Sequence, residues 1–195
     1  ELVVANQKAC AIICYQNEIA DNIRVLIKNK EQTCYPDILV SSNKKFTVDG
    51  EEQKKNTLVS AEMLLNKEKS GKEIRISPQD GGMLFLCDSK GKRQGEGYEG
   101  DMIYRKAKDG YILINELPIE DYVRYVLPSE MPISFDYEAL KAQAVCARTF
   151  AYKQMRGNAY AEYGANLDNT TSFQVYHAAG CYDITDRAVS DTRGM

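Results

Sequence analysis

The sequence predicts an α+β fold, in which a strand-rich N-terminal half precedes a group of helices. From about residue 23 to residue 114, short apolar runs alternate with turn residues, a pattern typical of strands. From Leu117 onward the apolar spacing becomes helical. Strands and helices thus occupy separate parts of the chain, which favours α+β over an alternating βαβ arrangement. The 195 residues suffice for one substantial core.

Seven strands are predicted in the first half: Ile23–Ile27, Ile38–Ser41, Phe46–Val48, Ile74–Ile76, Met83–Cys87, Met102–Arg105 and Tyr111–Ile114. The dipeptide Asp109-Gly110 indicates a type I′ turn joining the last two. The Lys- and Glu-rich stretch 44–72 is interpreted as a solvated connection with a short helix at Ala61–Leu65. Residues 1–22 are interpreted as a preceding segment or linker, and residues 23–195 as the domain.

Two helices dominate the second half. The first begins at Pro118 and ends at Pro128, with apolar residues at helical spacing: Ile119, Tyr122, Val123 and Val126. The second starts at a cap, Ser134 or Asp136, and runs to about Met155. It is apolar or small nearly all the way round, which predicts a long buried helix. A loop, a strand and a short helix follow, and together these elements are expected to form a cleft.

The composition excludes several classes of protein. The net charge of −3 gives no indication of nucleic acid or an anionic membrane as a partner. No apolar run approaches the roughly 18 residues of a spanning helix, and no signal peptide is visible. The chain is interpreted as a fragment of a longer exported or anchored protein, so that any membrane attachment lies outside it.

Cysteine usage leaves the redox compartment open. Six cysteines contain no CxxC pair, and a single histidine, His177, gives poor support for a zinc site. Free or structural thiols are favoured over a disulfide framework, and Cys146 is expected to be a small buried side chain.

Glu130 is the most suggestive candidate for chemistry. It lies between Pro128 and Pro132, and Pro132 should hold Met131 in an extended conformation. Apolar neighbours would raise the pKa of such a carboxyl, as a general acid near neutrality requires. The alternative is that Glu130 borders the long helix or points to solvent.

Other polar residues suggest a ligand site more weakly. Lys141 and Arg148 are seven residues apart and share a helix face, where they could contact a ligand or pair with Asp168 or Glu138. The stretch "TTSFQVYH" supplies uncharged hydrogen-bonding groups of the kind that line sugar sites.

Three stretches closely resemble the stage II sporulation protein D (SpoIID/LytB) family: "LPIEDYVRYVLPSEMPISFDYEALKAQAVCARTFAYKQ", "LDNTTSFQVY" and "AVSDTRG". The resemblance is dense from Asn115 to Gly194 and looser from about Ile23. It implies an α+β domain in the cell envelope, outside the cytoplasm, that acts on peptidoglycan. The family's catalytic glutamate lies in "PSEMP", which is Glu130 here.

The resemblance also implies roles for the rest of the site. Substrate-binding residues are expected to be Ser129, Lys141, Gln143, Arg148, Asp168, Gln174 and Tyr176. Lys141 and Arg148 would hold the lactyl carboxylate of muramic acid in peptide-free strands. Some members hold zinc near the QVY element, but "DNTTSFQVY" lacks those ligands, so no metal or other cofactor is predicted. The family domain continues beyond the final motif, so the domain in 23–195 is expected to be incomplete at its C-terminus.

Three functions follow from these observations. The first is a lytic transglycosylase, an enzyme that cleaves peptide-stripped glycan strands in sporulation or cell-wall remodelling with Glu130 as acid and then base. The second is a non-catalytic glycan-binding module that stimulates a cell-wall amidase. The third is a purely structural envelope protein.

Overall fold

A computed structural model describes residues 2–5, 8–12, 22–29, 32–66, 73–176 and 180–195, with side chains described from residue 22 onward. The fold is α+β, as the sequence predicts. The strands of the described residues are β1 (Leu2–Ala5), β2 (Lys8–Ile12), β3 (Asn22–Ile27), β4 (Leu39–Ser42), β5 (Phe46–Val48), β6 (Glu51–Gln53), β7 (Val59–Ser60), β8 (Glu73–Pro78), β9 (Leu84–Cys87), β10 (Arg93–Tyr98), β11 (Asp101–Ala107), β12 (Gly110–Pro118) and β13 (Leu167–Asp168). The helices are α1 (Ala61–Leu65), α2 (Ile119–Glu130), α3 (Tyr137–Met155) and α4 (Asp183–Asp191), with a 3₁₀ turn at Ala161–Tyr163.

The strands form a seven-stranded sheet in the order β13-β3-β12-β11-β8-β5-β6 and a four-stranded sheet in the order β10-β9-β4-β7. Strands β1 and β2 form a separate antiparallel pair. All pairs in the two larger sheets are antiparallel except β13 with β3, which is parallel. This one parallel pair matters for the site, because β13 leads directly into the QVY segment.

The predicted strands are confirmed, but several others have no clear sequence signal. Strand β10 reads "RQGEGY" and is mostly exposed, so it shows no alternation of apolar and polar residues. The described part of the stretch 44–72, residues 44–66, is more ordered than a solvated connection, because it contains the β5–β6 hairpin as well as β7 and α1; residues 67–72 lie outside the described residues. Helix α1 has the predicted bounds, and the Ser60 hydroxyl caps it by accepting from the Met63 N–H at 3.1 Å.

The type I′ turn lies at a different Asp-Gly pair from the one predicted. Asp49 and Gly50 join β5 to β6 with φ of 48° and 86°, the positive values that a type I′ turn requires. In the β11–β12 hairpin the two turn residues are Lys108 and Asp109, and neither has a positive φ. Gly110 has φ 139° and approaches the Tyr35 carbonyl closely, so glycine is needed there for a different reason.

Pro128 does not end α2, as was predicted; it lies inside the helix, which continues to Glu130. In the turn that contains the proline, the Ser129 hydroxyl donates to the Tyr125 carbonyl at 2.8 Å. The helix ends where Met131 is extended, at φ −135° and ψ 128°, as expected for a residue before Pro132. Glu130 is therefore the last helical residue.

Helix α3 is not buried all the way round, contrary to prediction. Its bounds and its Asp136 cap are confirmed, but only one stripe is buried: Leu140, Ala144, Ala147, Arg148 and Ala151. Cys146 faces solvent, because a helix resting on one layer of neighbours exposes its opposite side. The four cysteines whose side chains are described are free thiols, as predicted: Cys34, Cys87, Cys146 and Cys181.

The main core lies between the sheets and the helices. Buried residues of β3, β11 and β12 pack there with α2, α3 and α4. The opposite face of the large sheet carries a smaller apolar cluster and, beside it, ion pairs such as Arg24–Glu73 at 2.9 Å and Arg75–Glu116 at 3.0 Å. Among the described residues no helix has the length and apolar character needed to cross a membrane.

Candidate functional site

Glu130 projects from the C-terminal end of α2 and is exposed to solvent. Its Oε1 accepts a hydrogen bond from the backbone N–H of Val175 at 2.5 Å. The expectation that apolar neighbours surround this carboxyl is wrong. Met131 turns in to pack against the core, and Ile133 is 39% exposed, so neither encloses Glu130.

Asp168 anchors the segment that reaches Glu130. It is completely buried at the end of β13. Its Oδ1 accepts from the Thr170 N–H at 2.8 Å and hydroxyl at 2.7 Å, and its Oδ2 accepts from the Tyr160 hydroxyl at 2.8 Å and lies 3.5 Å from the Lys28 ammonium. Burial acts to raise the pKa of Asp168, but the hydrogen bonds from Thr170 and Tyr160 and the charge of Lys28 outweigh it, so the pKa lies below its usual range.

Asn169 extends the parallel strand pairing by one residue through its side chain. The Lys28 N–H donates to Oδ1 of Asn169 at 2.8 Å, and Nδ2 of Asn169 donates to the Lys28 carbonyl at 3.2 Å. This pair of bonds fixes the start of the segment 169–176. The segment itself is a turn and irregular chain, so the strand expected after the loop is not found at "FQVY"; the strand is β13, before it.

Behind Val175 lies a group of buried tyrosines. The Tyr122 and Tyr176 rings stack at 5.1 Å, and the Tyr122 hydroxyl donates to Oε1 of Gln174 at 3.3 Å. The Tyr176 hydroxyl donates to Oδ1 of the buried Asn115 at 2.6 Å. Burial, and then the charges of Glu130 and Asp168, raise the pKa of Tyr122 far above its usual value, so it is a neutral hydrogen-bonding group.

The structure brings together four of the predicted site residues, and two residues that the sequence analysis did not select support them. Glu130, Asp168, Gln174 and Tyr176 are linked through the 169–176 segment and Tyr122. The sequence analysis interpreted Tyr122 only as an apolar helix position and gave Asn115 no role beyond marking the start of the dense family resemblance. Their hydrogen-bonding roles depend on contacts across more than 50 residues of sequence.

The other predicted residues lie elsewhere on the helices. Arg148 is 1% exposed, and its Nε and Nη2 each donate to the Glu120 carboxylate at 2.8 Å. Since Glu120 lies in the first turn of α2 and Glu130 ends the helix, the two lie about 15 Å apart along it. Lys141 pairs with Glu138 at 3.1 Å on the surface of α3, where Gln143 is half-buried. Ser129, beside Glu130, is half-buried and bonded back to its own helix.

Residues 107–195 match the family model described as Stage II sporulation protein. A stage II sporulation protein D of Bacillus subtilis is 45% identical over 76 residues, which are 38% of this chain and 21% of that protein. An amidase enhancer of Bacillus subtilis is 41% identical over 69 residues, 35% of this chain and 9% of that protein. An uncharacterized protein of Brachyspira hyodysenteriae is 43% identical over 96 residues, 49% of this chain and 26% of that protein. No solved structure matches the chain.

Residues 107–195 are therefore similar to the SpoIID family, and over this segment the resemblance drawn from the sequence is confirmed. The family and the names of its members support a role in sporulation or the cell wall. The matched region spans about a quarter or less of these relatives. Whether a metal binds stays a prediction, because His177 lies outside the described residues.

Replacing Asp168 with Asn is expected to lower the free energy of unfolding by about 2–3 kcal/mol at pH 7, because Lys28 loses its buried counter-ion. The pKa of Asp168 is lowered in the folded protein, so its contribution is present above the unfolded value of roughly 4 and is lost as the pH falls through the folded value. Urea unfolding of both proteins at pH 7 and pH 3 should show the difference shrinking at pH 3. The exposed turn variant Asp109→Asn serves as control, and a difference independent of pH would contradict this account.

Proposed function

We propose that the protein is a peptidoglycan lytic transglycosylase that acts on peptide-stripped glycan strands, with Glu130 as its acid and base. The observation that carries this is the placement of Glu130: an exposed carboxyl at a helix end, oriented by the Val175 N–H. Because Val175 engages Oε1, Oε2 is the oxygen available to a substrate. The support from relatives is the family match across residues 107–195, which include the "PSEMP" motif.

The reaction needs one carboxyl group. The acid form of Glu130 donates its proton to the glycosidic oxygen while the bond from that oxygen to C1 of N-acetylmuramic acid breaks. The resulting carboxylate then takes the proton of the same sugar's 6-hydroxyl as O6 bonds to C1. The products are a 1,6-anhydro-muramic acid end and a sugar with a free 4-hydroxyl, so neither water nor a second carboxylate is consumed, unlike in hydrolysis by a carboxylate pair.

The surroundings of Glu130 suit this role in two ways. The 169–176 segment is fixed at its start by Asp168 and Asn169, so the Val175 N–H that orients Glu130 is held in place. The neutral Tyr122 hydroxyl and the Gln174 amide lie behind the segment and hydrogen-bond each other.

We propose the cell envelope outside the cytoplasm as the location, with peptidoglycan strands as substrate.

A second candidate function is stimulation of a cell-wall amidase without glycan cleavage. It is favoured by the relative named amidase enhancer and by the exposure of Glu130, which lacks the enclosing apolar pocket expected of a tuned general acid. In this case the same surface would bind glycan or the amidase, and Glu130 would be a contact residue.

Product analysis separates these functions. The protein is incubated with peptide-free glycan strands, and the ends are identified by mass spectrometry. New 1,6-anhydro-muramic acid ends would support the transglycosylase, whereas reducing muramic acid ends would show hydrolysis and overturn it. Intact peptide-free strands, combined with faster release of stem peptides by an added amidase from peptide-bearing peptidoglycan, would establish the second candidate.

A further inference from the structure

A cavity of about 450 Å³ lies beside the segment that holds Glu130. Its walls come from β4, β9 and β10 of the four-stranded sheet, from the end of β3 and from Asn169. This volume falls within the roughly 300–1,000 Å³ of small-molecule sites. The exposed side chains of Asn29 and Gln94 border it, so the cavity opens to solvent.

The lining combines aromatic, amide and aliphatic groups. Tyr35 and Tyr98 contribute rings, and the Tyr35 hydroxyl donates to the Ile27 carbonyl at 3.0 Å, which holds that ring in place. Asn29 and Gln94 contribute amides that can donate and accept hydrogen bonds. Rings pack against the C–H faces of a sugar, and amides match its hydroxyl and acetamido groups. The lining is therefore suited to an N-acetylated sugar.

The charged residues of the lining indicate a neutral ligand. The Lys28 ammonium is 3.5 Å from the Asp168 carboxylate. The Asp37 carboxylate accepts from the Ser60 hydroxyl at 2.9 Å and from the Glu62 N–H at 2.9 Å, where it supports the start of α1. The Lys28 charge is thus paired within the fold and the Asp37 carboxylate is hydrogen-bonded by neutral groups, so a ligand that carries a carboxylate would gain no free cation from these two residues.

The cavity and Glu130 are both adjacent to the 169–176 segment. Asn169 lines the cavity and begins the segment whose Val175 N–H reaches Glu130. On the other side, the Tyr98 ring lines the cavity and lies 6.5 Å from the Tyr176 ring, next to Val175. The 169–176 segment therefore lines the cavity at its first residue and contacts Glu130 near its other end.

We propose that this cavity binds an uncharged N-acetylglucosamine of the glycan strand whose muramic acid lies at Glu130. The inference rests on the proposed function for the identity of the strand. Glycan strands alternate one sugar that bears a lactyl carboxylate with one that does not. The paired Lys28 ammonium and the hydrogen-bonded Asp37 carboxylate favour binding of the sugar without a carboxylate, N-acetylglucosamine. Binding in the cavity would fix the register of the strand, so that Glu130 faces the glycosidic bond at C1 of a muramic acid.

Calorimetric titration with N,N′,N″,N‴-tetraacetylchitotetraose, which has four N-acetylglucosamine units and no lactyl group, tests the cavity directly. The wild type is expected to bind it. Gln94→Trp, which fills the cavity mouth from an exposed position, should weaken binding at least about tenfold. Lys90→Trp, at an exposed turn outside the cavity, should leave binding unchanged, and Cys87→Phe fills the cavity from β9 if Gln94→Trp does not fold.

Undetectable binding by the wild type, or unchanged binding by both filled variants, would overturn the proposal. These outcomes are distinct from failure of the proposed function. If chitotetraose does not bind but Glu130-dependent anhydro ends still form, only the cavity assignment fails. If chitotetraose binds and Glu130→Gln still cleaves strands, the cavity stands and the role of Glu130 fails.

Discussion

Glu130→Gln is expected to reduce the formation of 1,6-anhydro-muramic acid ends by about a thousandfold or more, because an amide can neither donate the proton nor take it back. The change preserves the geometry, since the amide oxygen can still accept from the Val175 N–H. Wild type and variant should therefore melt at similar temperatures. The measurement is the initial rate of anhydro-end formation from peptide-free strands at one protein concentration.

Glu162→Gln, which removes another exposed carboxylate, provides the matched control and should cleave like the wild type. Equal rates for Glu130→Gln and the wild type would show that Glu130 is not the acid and base of glycan cleavage. If amidase stimulation also stayed unchanged in that variant, Glu130 would have neither proposed role.

The fold could be predicted from the sequence where a local pattern determines structure. Strand β3 is a short, mostly buried apolar run, helix α2 buries one consistent face, and helix α3 carries a capping Asp136 before it and Gly157 after it. Strand β10 could not be predicted, because it is a mostly exposed strand with two glycines that forms by pairing with β9 and not from a local pattern. The predicted end of α2 at Pro128 was wrong for a similar reason, because a single helix-breaking residue is tolerated where the surrounding packing stabilises the helix.

The site could be predicted only in part. The "PSEMP" motif identified Glu130 as a candidate. The exposure of the Glu130 side chain, however, depends on the directions in which the Met131 and Ile133 side chains point, and the residue types alone do not determine these directions. The hydrogen bond from the Val175 backbone involves no side chain of Val175, so no residue-type pattern could indicate it. Sequence spacing placed Lys141 and Arg148 on one helix face, yet one is at the surface and the other is buried.

Arg148→Met is expected to lower the free energy of unfolding by about 3 kcal/mol, because it removes a buried guanidinium and leaves the Glu120 carboxylate, only 21% exposed, without its partner. Arg148 also donates to the Val189 carbonyl at 3.1 Å, so its loss loosens α2, α3 and α4 together. Arg148→Lys should fall in between, since an ammonium cannot reproduce two parallel hydrogen bonds. Urea unfolding measures the effect, with the exposed Arg156→Met as control.

The same variant decides whether Arg148 contacts substrate. If its role is to hold the helices, folded Arg148→Met protein should bind peptide-free muramic acid strands with unchanged affinity, because Glu120 and Glu130 lie at opposite ends of α2. If it holds the lactyl carboxylate, stability should change little while affinity falls for strands with free lactyl groups and not for chitotetraose. The burial of the guanidinium and its two bonds to Glu120 favour the first result, which would leave Lys141 as the predicted cation with access to solvent.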